Sequence, residues 1–259
     1  MASLLERYDA FLFDLDGVLY RGDRPIPGAP DALAAIRAAG RGIAFMTNNS
    51  ATPPDEVAGR LRGMGIPASA PEVATSAAPT ARMLADRGCR SAFVIGEAGI
   101  RLALTDARIE VRTGDPAEVD AVVVGLDRTA DYTALRRASV LVDRGAAFVG
   151  TNADASFPAA DGMRWPGAGA LIAAIATTTG AVAEIVGKPN APLYLDALER
   201  AGGTVPLVIG DRLDTDIAGA AALGWDSLLV LTGIARREDL DGSPLRPTLV
   251  SEDLSILTR

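Results

Sequence analysis

Histidine is absent from this 259-residue chain, and cysteine occurs only once. Without histidine the chain cannot build a Ser-His-Asp triad or a histidine-ligated zinc site, and it lacks the commonest general base. Acid–base chemistry near neutral pH must therefore come mainly from carboxylates or lysine. The single cysteine, Cys89, excludes an intrachain disulfide and fits a reducing compartment.

Long apolar runs and an excess of basic charge are also missing. No segment reaches the roughly 18 consecutive apolar residues of a membrane span, and the first residues lack the basic and apolar pattern of a signal peptide. We therefore expect a cytoplasmic protein that has no membrane partner. The net charge of −8 argues against a nucleic acid polymer as partner, although a metal ion and a few cations can still neutralise a bound phosphate ester.

Short apolar segments alternate with helical patterns along the chain. The predicted strands, which are four to six residues long and rich in Val, Ile, Leu or Phe, are residues 10–15, 43–47, 92–96, 121–125, 147–150, 206–210 and 227–231. The predicted helices are residues 29–39, 77–86, 132–143, 169–179, 191–201 and 215–223, and a further one that follows Thr52 as its N-cap and ends near residues 63–65. This alternation predicts an α/β fold whose parallel strands are buried on both faces.

Two aspartates follow the first predicted strand. Asp14 and Asp16 are two positions apart, so they point the same way if the strand continues, and Gly17 comes next. Ligands of open α/β sheets bind beyond the carboxyl ends of strands, where paired carboxylates are costly to desolvate without a cation. Mg²⁺, which prefers oxygen ligands, would stabilise them. An Asp-rich turn without chemistry is the alternative.

Two further segments carry groups that suit a phosphate. Thr47, Asn48 and Asn49 follow the second predicted strand, where a hydroxyl and backbone N–H groups at a strand-to-helix turn can hold phosphate oxygens. Lys188 lies between an apolar stretch and a predicted helix, and it could neutralise the phosphate and an attacking carboxylate. A polar loop and a solvated surface lysine are the alternatives.

A second group of acids follows the predicted strand 206–210. Asp211 comes directly after this strand and could complete a metal site with the first two aspartates. Asp214 and Asp216 could support that site, or either could cap the following helix. The spacing leaves open which of these two acids approaches the metal.

These four segments, in this order, resemble the signature of the haloacid dehalogenase-like hydrolase superfamily. The chain is similar in particular to subfamily IIA, which includes NagD, p-nitrophenyl phosphatases and phosphoglycolate phosphatases. The resemblance extends to residues 22–29, 151–154, 166–169 and 210–217 and covers nearly the whole chain. It implies a Rossmann-like core with a parallel sheet plus an inserted α/β cap domain of the C2 type.

The resemblance also implies a role for each acid. Asp14 would be the nucleophile that forms an aspartyl-phosphate, and Asp16 would protonate the leaving oxygen and then deprotonate the hydrolytic water. Mg²⁺ would be held by Asp14, the backbone carbonyl of Asp16 and Asp211, with Asp216 supporting the site.

The remaining implied roles concern the phosphoryl group. Thr47, Asn48 and Asn49 would bind it, and Lys188 would pair with both the phosphate and Asp14.

The spacing of the segments predicts where an inserted domain lies. Asp16 and Thr47 are only 31 positions apart, whereas Thr47 and Lys188 are 141 positions apart, and the longer interval has its own strand and helix patterns. We place the cap at residues 79–179 and the discontinuous core at residues 1–78 and 180–259. Within the cap, Asn152 and Asp154 could hydrogen-bond to the leaving group; a helix-flanking turn is the alternative.

The sequence therefore predicts a phosphoric monoester hydrolase. Its partner would be a small phosphorylated metabolite, such as a sugar, glycerol or glycolate phosphate or a nucleotide, and the resemblance also allows a homodimer. One alternative is a phosphotransferase or mutase that uses the same aspartyl-phosphate. Another is a non-catalytic binding protein on this fold, although such a protein has no need to crowd acids around one point.

Overall fold

The computed structural model of the protein describes residues 3–158 and 163–258. Its strands are β1 (Ala10–Asp14), β2 (Tyr20–Arg21), β3 (Arg24–Pro25), β4 (Gly42–Thr47), β5 (Val73–Thr75), β6 (Ser91–Ile95), β7 (Glu110–Arg112), β8 (Ala121–Val124), β9 (Ala147–Gly150), β10 (Ser156–Pro158), β11 (Arg164–Pro166), β12 (Glu184–Ile185), β13 (Pro206–Gly210), β14 (Asp226–Val230) and β15 (Leu249–Ser251).

The helices are interleaved with these strands. They are α1 (Leu4–Arg7), α2 (Ala29–Ala38), α3 (Pro54–Gly63), α4 (Ala77–Asp86), α5 (Ala98–Asp106), α6 (Tyr132–Asp143), α7 (Ala168–Thr179), α8 (Ala191–Ala201) and α9 (Ala218–Ala222). Within the described ranges, no helix combines the length and the apolar character that crossing a bilayer requires.

The chain divides into two compact units. The first unit takes the described residues of Met1–Thr47, Pro54–Ala74 and Lys188–Arg259, and the second takes those of Asn48–Pro53 and Thr75–Gly187. The sequence-based boundaries of the inserted domain are residues 79 and 179, whereas the second unit begins at Thr75, ends at Gly187 and also includes the short segment Asn48–Pro53. That the second unit acts as a cap stays a prediction.

The first unit is built around a sheet with the strand order β15-β14-β13-β1-β4-β5. The central strand β1 pairs in parallel with β13 on one side and with β4 on the other. Phe11 and Phe13 of β1 pack into one hydrophobic cluster, and Ala10 and Leu12 pack into another. Both faces of β1 are therefore buried, which explains its uninterrupted apolar sequence.

Helices cover the two faces of this sheet. Leu33 and Ile36 of α2 pack in the cluster that contains Phe11, and Leu193 and Ala197 of α8 pack in the opposite cluster. These pairs are three or four residues apart, as expected for helices that bury one stripe. The first unit is thus a three-layer α/β/α structure.

The second unit has its own parallel sheet, with the order β12-β9-β8-β6-β7. Ala92 and Val94 of β6 pack in one hydrophobic cluster, whereas Phe93 and Ile95 pack in another. The predicted α/β class with parallel sheets is confirmed. Sequence analysis did not predict the helices α1 and α5 or the short strands β2, β3, β5, β7, β10, β11, β12 and β15.

Candidate active site

Three adjacent strands of the first unit end at the same edge of the sheet. Asp14 is the last residue of β1, Thr47 is the last residue of β4, and Asp211 follows β13. The parallel register places Asp14 beside Met46 and Phe13 beside Ile209, so the three polar residues emerge together. The predicted convergence at the carboxyl edge is therefore present.

Lys188 joins two of the acids. Its Nζ donates to Oδ1 of Asp14 at 2.5 Å and to Oδ1 of Asp216 at 2.7 Å. The side chains of Lys188, Asp14 and Asp216 are 5%, 14% and 1% exposed, so this ion pair is shielded from water. Buried charges of this kind persist only when they are paired.

A π-helical turn, Leu213–Ile217, presents Asp216 to the lysine. The backbone N–H of Arg212 donates to Oδ2 of Asp216 at 3.2 Å, and the hydroxyl of buried Tyr194 donates to the carbonyl of Thr215 at 2.8 Å. Asp214, in contrast, has a side chain that is 70% exposed and pairs with Arg212 at 2.9 Å. The structure thus separates the two acids that the sequence left as alternatives.

Asp211 is held in a narrow space by backbone groups. Its Oδ2 accepts from the N–H of Ile234 at 2.7 Å, and its carbonyl accepts from the N–H of Ala235 at 2.9 Å. A Cβ on Gly17, whose φ is +83°, would lie 2.5 Å from Oδ2 of Asp211, and a Cβ on Gly233 would overlap the same carboxylate. Both glycines therefore leave room that Asp211 fills.

The charges of the cluster perturb one another. Burial raises the pKa of Asp14 to about 7; the Lys188 ammonium lowers this pKa, and the carboxylates of Asp216 and Asp211 raise it. Burial and the Asp216 carboxylate raise the pKa of Asp211 to about 6. Burial lowers the pKa of Lys188, but Asp14 and Asp216 outweigh it and hold this pKa well above its usual range. The lysine is therefore a permanent cation beside acids that need more positive charge.

The cluster fits a divalent metal ion. Asp14, Asp211 and Asp216 each offer a carboxylate oxygen, and these oxygens lie within 4.8 Å of one another. Oδ1 of Asp211 is buried, and within the described residues it has no hydrogen-bond partner. Leaving a buried acceptor unsatisfied costs about 1–3 kcal/mol, and an oxygen-preferring cation such as Mg²⁺ would satisfy it.

Asp16 lies just outside this cluster. It is exposed, and it precedes Gly17, whose N–H donates to the carbonyl of Tyr20 at 2.8 Å. Partial desolvation by neighbouring atoms raises the pKa of Asp16, whereas the positive charges of Arg60 and Arg21 lower it. A carboxyl whose pKa is raised and that reaches solvent is suited to donating a proton.

The other predicted residues belong to the second unit. The side-chain amide of Asn48 donates to Oδ2 of Asp154 at 3.2 Å, and the side-chain amide of Asn152 donates to the carbonyl of Asn48 at 2.8 Å. Oδ1 of Asn49 accepts from the N–H of Ala51 at 2.8 Å, as in an Asx turn. That Asn48 and Asn49 bind phosphate, and that Asn152 and Asp154 contact a leaving group, stay predictions.

Comparison with known proteins identifies the family. The model of the haloacid dehalogenase-like hydrolases matches residues 11–110, and that of the HAD-hydrolase-like group matches residues 185–257. The acid sugar phosphatase of Staphylococcus aureus is 35% identical over 254 residues, which are 97% of each chain. The chain belongs to the haloacid dehalogenase-like hydrolases.

Solved structures agree with this haloacid dehalogenase-like assignment. The glycerol phosphate phosphatase Rv1692 of Mycobacterium tuberculosis, in complex with magnesium, is 35% identical with a TM-score of 0.93 over 99% of this chain and 78% of the other. NagD from Escherichia coli K-12 is 28% identical with a TM-score of 0.89 over 96% and 97% of the two chains. The 4-nitrophenylphosphatase of Thermotoga maritima is 31% identical with a TM-score of 0.89 over 99% and 98%. The predicted resemblance to subfamily IIA is confirmed.

Sequence reasoning missed several residues that shape this haloacid dehalogenase-like site. Tyr194 supports the π-helical turn, and Gly233 and Ile234 enclose Asp211. Tyr194 occupies a regular core position on α8, and residues 233 and 234 lie beyond β14 without a charged group. Only the Gly233-Ile234 pair after the strand could have signalled a tight backbone approach.

Proposed function

We propose that this chain is a magnesium-dependent phosphatase that hydrolyses phosphate monoesters of small metabolites through an aspartyl-phosphate on Asp14. The observation that carries the proposal is the buried pairing of Asp14 with Lys188 at 2.5 Å beside two further acids. A reactive carboxylate, a fixed cation and a set of metal ligands thus meet at the end of β1. The family membership supports the same reaction class.

The substrate class follows from the relatives. One is named an acid sugar phosphatase and another a glycerol phosphate phosphatase. We therefore expect a phosphorylated sugar or polyol among the substrates of this chain. Glycolate phosphate and nucleotides are the other classes to be tested, and a homodimer remains a separate prediction.

In the first half of the reaction, a carboxylate oxygen of Asp14 attacks phosphorus and the bond from phosphorus to the leaving oxygen breaks. The carboxyl of Asp16 donates its proton to that oxygen, which departs as an alcohol. The charge of Lys188 favours the ionised form of Asp14 and offsets the charge of the phosphate. The hydroxyl of Thr47 and the backbone N–H groups of the turn after β4 bind the phosphoryl oxygens.

In the second half, the Asp16 carboxylate takes a proton from water, and the water oxygen attacks phosphorus. The bond between phosphorus and the Asp14 oxygen breaks, which releases phosphate and restores both acids. Magnesium, held by Asp14, the backbone carbonyl of Asp16 and Asp211, with Asp216 in support, would supply positive charge that stabilises the phosphoryl group. The second unit would act as the cap that excludes water during the first half.

The test is phosphate release by the purified protein, with p-nitrophenyl phosphate and a panel of sugar, glycerol, glycolate and nucleotide phosphates. Asp14→Asn should abolish turnover while circular dichroism shows an intact fold, because unaided phosphate-monoester hydrolysis is extremely slow. EDTA should stop the reaction and added Mg²⁺ should restore it. Asp214→Asn is the matched control, since the side chain of Asp214 is exposed and pairs with Arg212.

Four outcomes would contradict this proposal. Substantial turnover by Asp14→Asn would show that Asp14 is not the nucleophile. Full activity in chelator would show that the reaction needs no metal ion. Transfer of phosphate to an added sugar in preference to water would indicate a phosphotransferase or mutase. Ligand binding without turnover by the wild-type protein would indicate a non-catalytic member of the family.

A further inference from the structure

The segment Asn48–Pro53 follows directly after Thr47 and belongs to the second unit. The carbonyl of Asn48 accepts two hydrogen bonds from that unit, one from the side-chain amide of Asn152 at 2.8 Å and one from the hydroxyl of Ser76 at 2.7 Å. Its side-chain amide donates to Asp154 at 3.2 Å. The first residue after β4 is therefore fixed by three side chains that lie far from it in sequence.

The rest of the segment is attached in the same way. The hydroxyls of Ser50 and Thr151 share a buried hydrogen bond of 2.8 Å, and the N–H of Gly99 donates to the carbonyl of Ala51 at 2.8 Å. A Cβ on Gly99 would come 2.5 Å from the carbonyl oxygen of Ser50. Several residues of the segment are thus packed closely against the rest of the second unit.

Two donors on one carbonyl fix the plane of the peptide that joins Asn48 to Asn49. In a trans peptide the N–H points opposite to the C=O. Since the carbonyl of Asn48 points to Asn152 and Ser76, the N–H of Asn49 points away from them. Backbone N–H groups of this turn are the phosphate donors of the proposed function, so their direction depends on the hydrogen bonds to that carbonyl.

We propose that Asn152 is a positioning residue that orients the phosphate-binding turn, and that it does not contact the leaving group. Asn152 is only 4% exposed, and both ends of its amide are engaged. Nδ2 donates to the carbonyl of Asn48 and, at 3.4 Å, to the hydroxyl of Thr151, whereas Oδ1 accepts from the N–H of Asp154 at 3.1 Å. This inference rests on the proposed function, because it assigns the turn after Thr47 to phosphate.

The same loop also reaches the residue before Lys188. The N–H of Gly187 donates to the carbonyl of Thr151 at 2.9 Å. A Cβ on Gly187 would lie 2.6 Å from both Oδ1 of Asn48 and the carbonyl oxygen of Thr151. The loop that contains Thr151 and Asn152 therefore contacts both Asn48, the residue after Thr47, and Gly187, the residue before Lys188.

The experiment measures the binding of inorganic phosphate, which has no leaving group, by calorimetry in the presence of Mg²⁺. Asn152→Ala and Asn152→Asp both remove the donor to Asn48, and the second keeps the size and the Oδ1 acceptor. Each should weaken phosphate binding about 3- to 10-fold, the usual net effect of one hydrogen bond. The fall in kcat/KM should be equal for p-nitrophenyl phosphate and glycerol phosphate, because the turn contacts only the group they share.

Two further variants keep the test independent of folding. Ser139→Ala removes a buried hydroxyl that donates to the carbonyl of Leu135 at 2.9 Å inside α6, and it should leave phosphate binding unchanged. Ser76→Ala removes the other donor to the carbonyl of Asn48 and should weaken phosphate binding like Asn152→Ala. If Asn152→Ala fails to fold, the size-preserving Asn152→Asp, read together with Ser76→Ala, decides the question.

The inference is overturned if both Asn152 variants bind phosphate as the wild type does and if their loss of kcat/KM differs between the two esters. Asn152 would then be a leaving-group contact. Equal loss in Ser139→Ala also overturns it, since the effect would then reflect only the stability of the second unit. If the wild-type protein hydrolyses no ester, the proposed function fails, but the comparison of phosphate affinities still decides the role of Asn152.

Discussion

Replacing Lys188 with Met tests the central pairing of the site. Methionine keeps most of the length and the apolar character of the lysine stem but removes the ammonium that donates to Asp14 at 2.5 Å and to Asp216 at 2.7 Å. Asp14, Asp211 and Asp216 would then share one small volume without the ammonium group of Lys188. Repulsion and poor solvation should destabilise the folded first unit.

The size of the effect follows from burial. Lys188 is 5% exposed, and breaking a buried ion pair by removing one partner typically costs about 3–5 kcal/mol. A domain of ordinary stability has only about 5–15 kcal/mol in total, so the loss should be large and easily measured. Arg237→Met is a matched control, because Arg237 pairs with Glu252 at 2.6 Å while both side chains are more than half exposed, at 65% and 74%. Such a surface pair contributes about 0–1 kcal/mol.

The assay is urea unfolding in EDTA, followed by the fluorescence of Trp225. This residue packs edge-on against Tyr194, with ring centroids 6.4 Å apart, and therefore reports on the first unit. The chain has two tryptophans, so all variants carry Trp165→Phe to remove the signal of the second unit. A loss below about 1 kcal/mol for Lys188→Met, equal to that of Arg237→Met, would refute the claim that a buried cation holds the acids together.

Three further changes test the neighbours of the cluster. Asp16→Asn should slow the hydrolysis of glycerol phosphate by about 10²–10⁴-fold but that of p-nitrophenyl phosphate much less, because nitrophenolate leaves without a proton; equal losses would exclude a proton-donating role. Arg60 lowers the raised pKa of Asp16, and the acid form of Asp16 is lost as the pH rises through that pKa. Arg60→Gln should therefore move the alkaline limb of the pH profile of glycerol phosphate hydrolysis to higher pH. An unmoved limb would contradict the role of Asp16 as proton donor. Gly17→Ala should weaken Mg²⁺ binding in calorimetry by at least about 10-fold, because its Cβ would lie 2.5 Å from Oδ2 of Asp211. Gly22→Ala is the control, since Gly22 also has a positive φ but has open space around it, and its Mg²⁺ affinity should not change. Equal affinities of the two variants would show that the close approach of Gly17 to Asp211 is not needed.

The acids at strand ends were accessible to sequence reasoning because two independent patterns coincide there. A short apolar run gives a buried strand, and the position of Asp14 or Asp211 at its end gives the edge of the sheet. Parallel strands bring such edges together without any further information. The convergence of Asp14 and Asp211 at one edge of the sheet could therefore be predicted from the sequence.

The choice between Asp214 and Asp216 could not be predicted. Two residues that are two positions apart on a helix point in nearly opposite directions, so spacing shows that only one faces the site and does not show which one. The π-helical turn at Leu213–Ile217 decides this, and its widened backbone has no simple sequence signal.

The attachment of Asn48–Pro53 to the second unit was also outside the reach of local patterns. It depends on hydrogen bonds to residues about a hundred positions away, such as Asn152 and Thr151. The unpredicted helix α5 has a related cause, because its second residue, Gly99, lowers helix propensity yet is needed where the backbone of Ser50 approaches. Close packing at Gly99 therefore outweighs its low helix propensity.

The double engagement of Lys188 has a consequence for the catalytic cycle. In the proposed reaction Asp14 forms an acyl phosphate and so loses the charge of a free carboxylate. A lysine that paired with Asp14 alone would lose its ion pair at that step. Asp216 is a permanent tether for the ammonium, at 2.7 Å and with a side chain only 1% exposed. Because Asp216 holds the Lys188 ammonium in place, the same position of this cation can serve both the attack on the ester and the hydrolysis of the acyl phosphate.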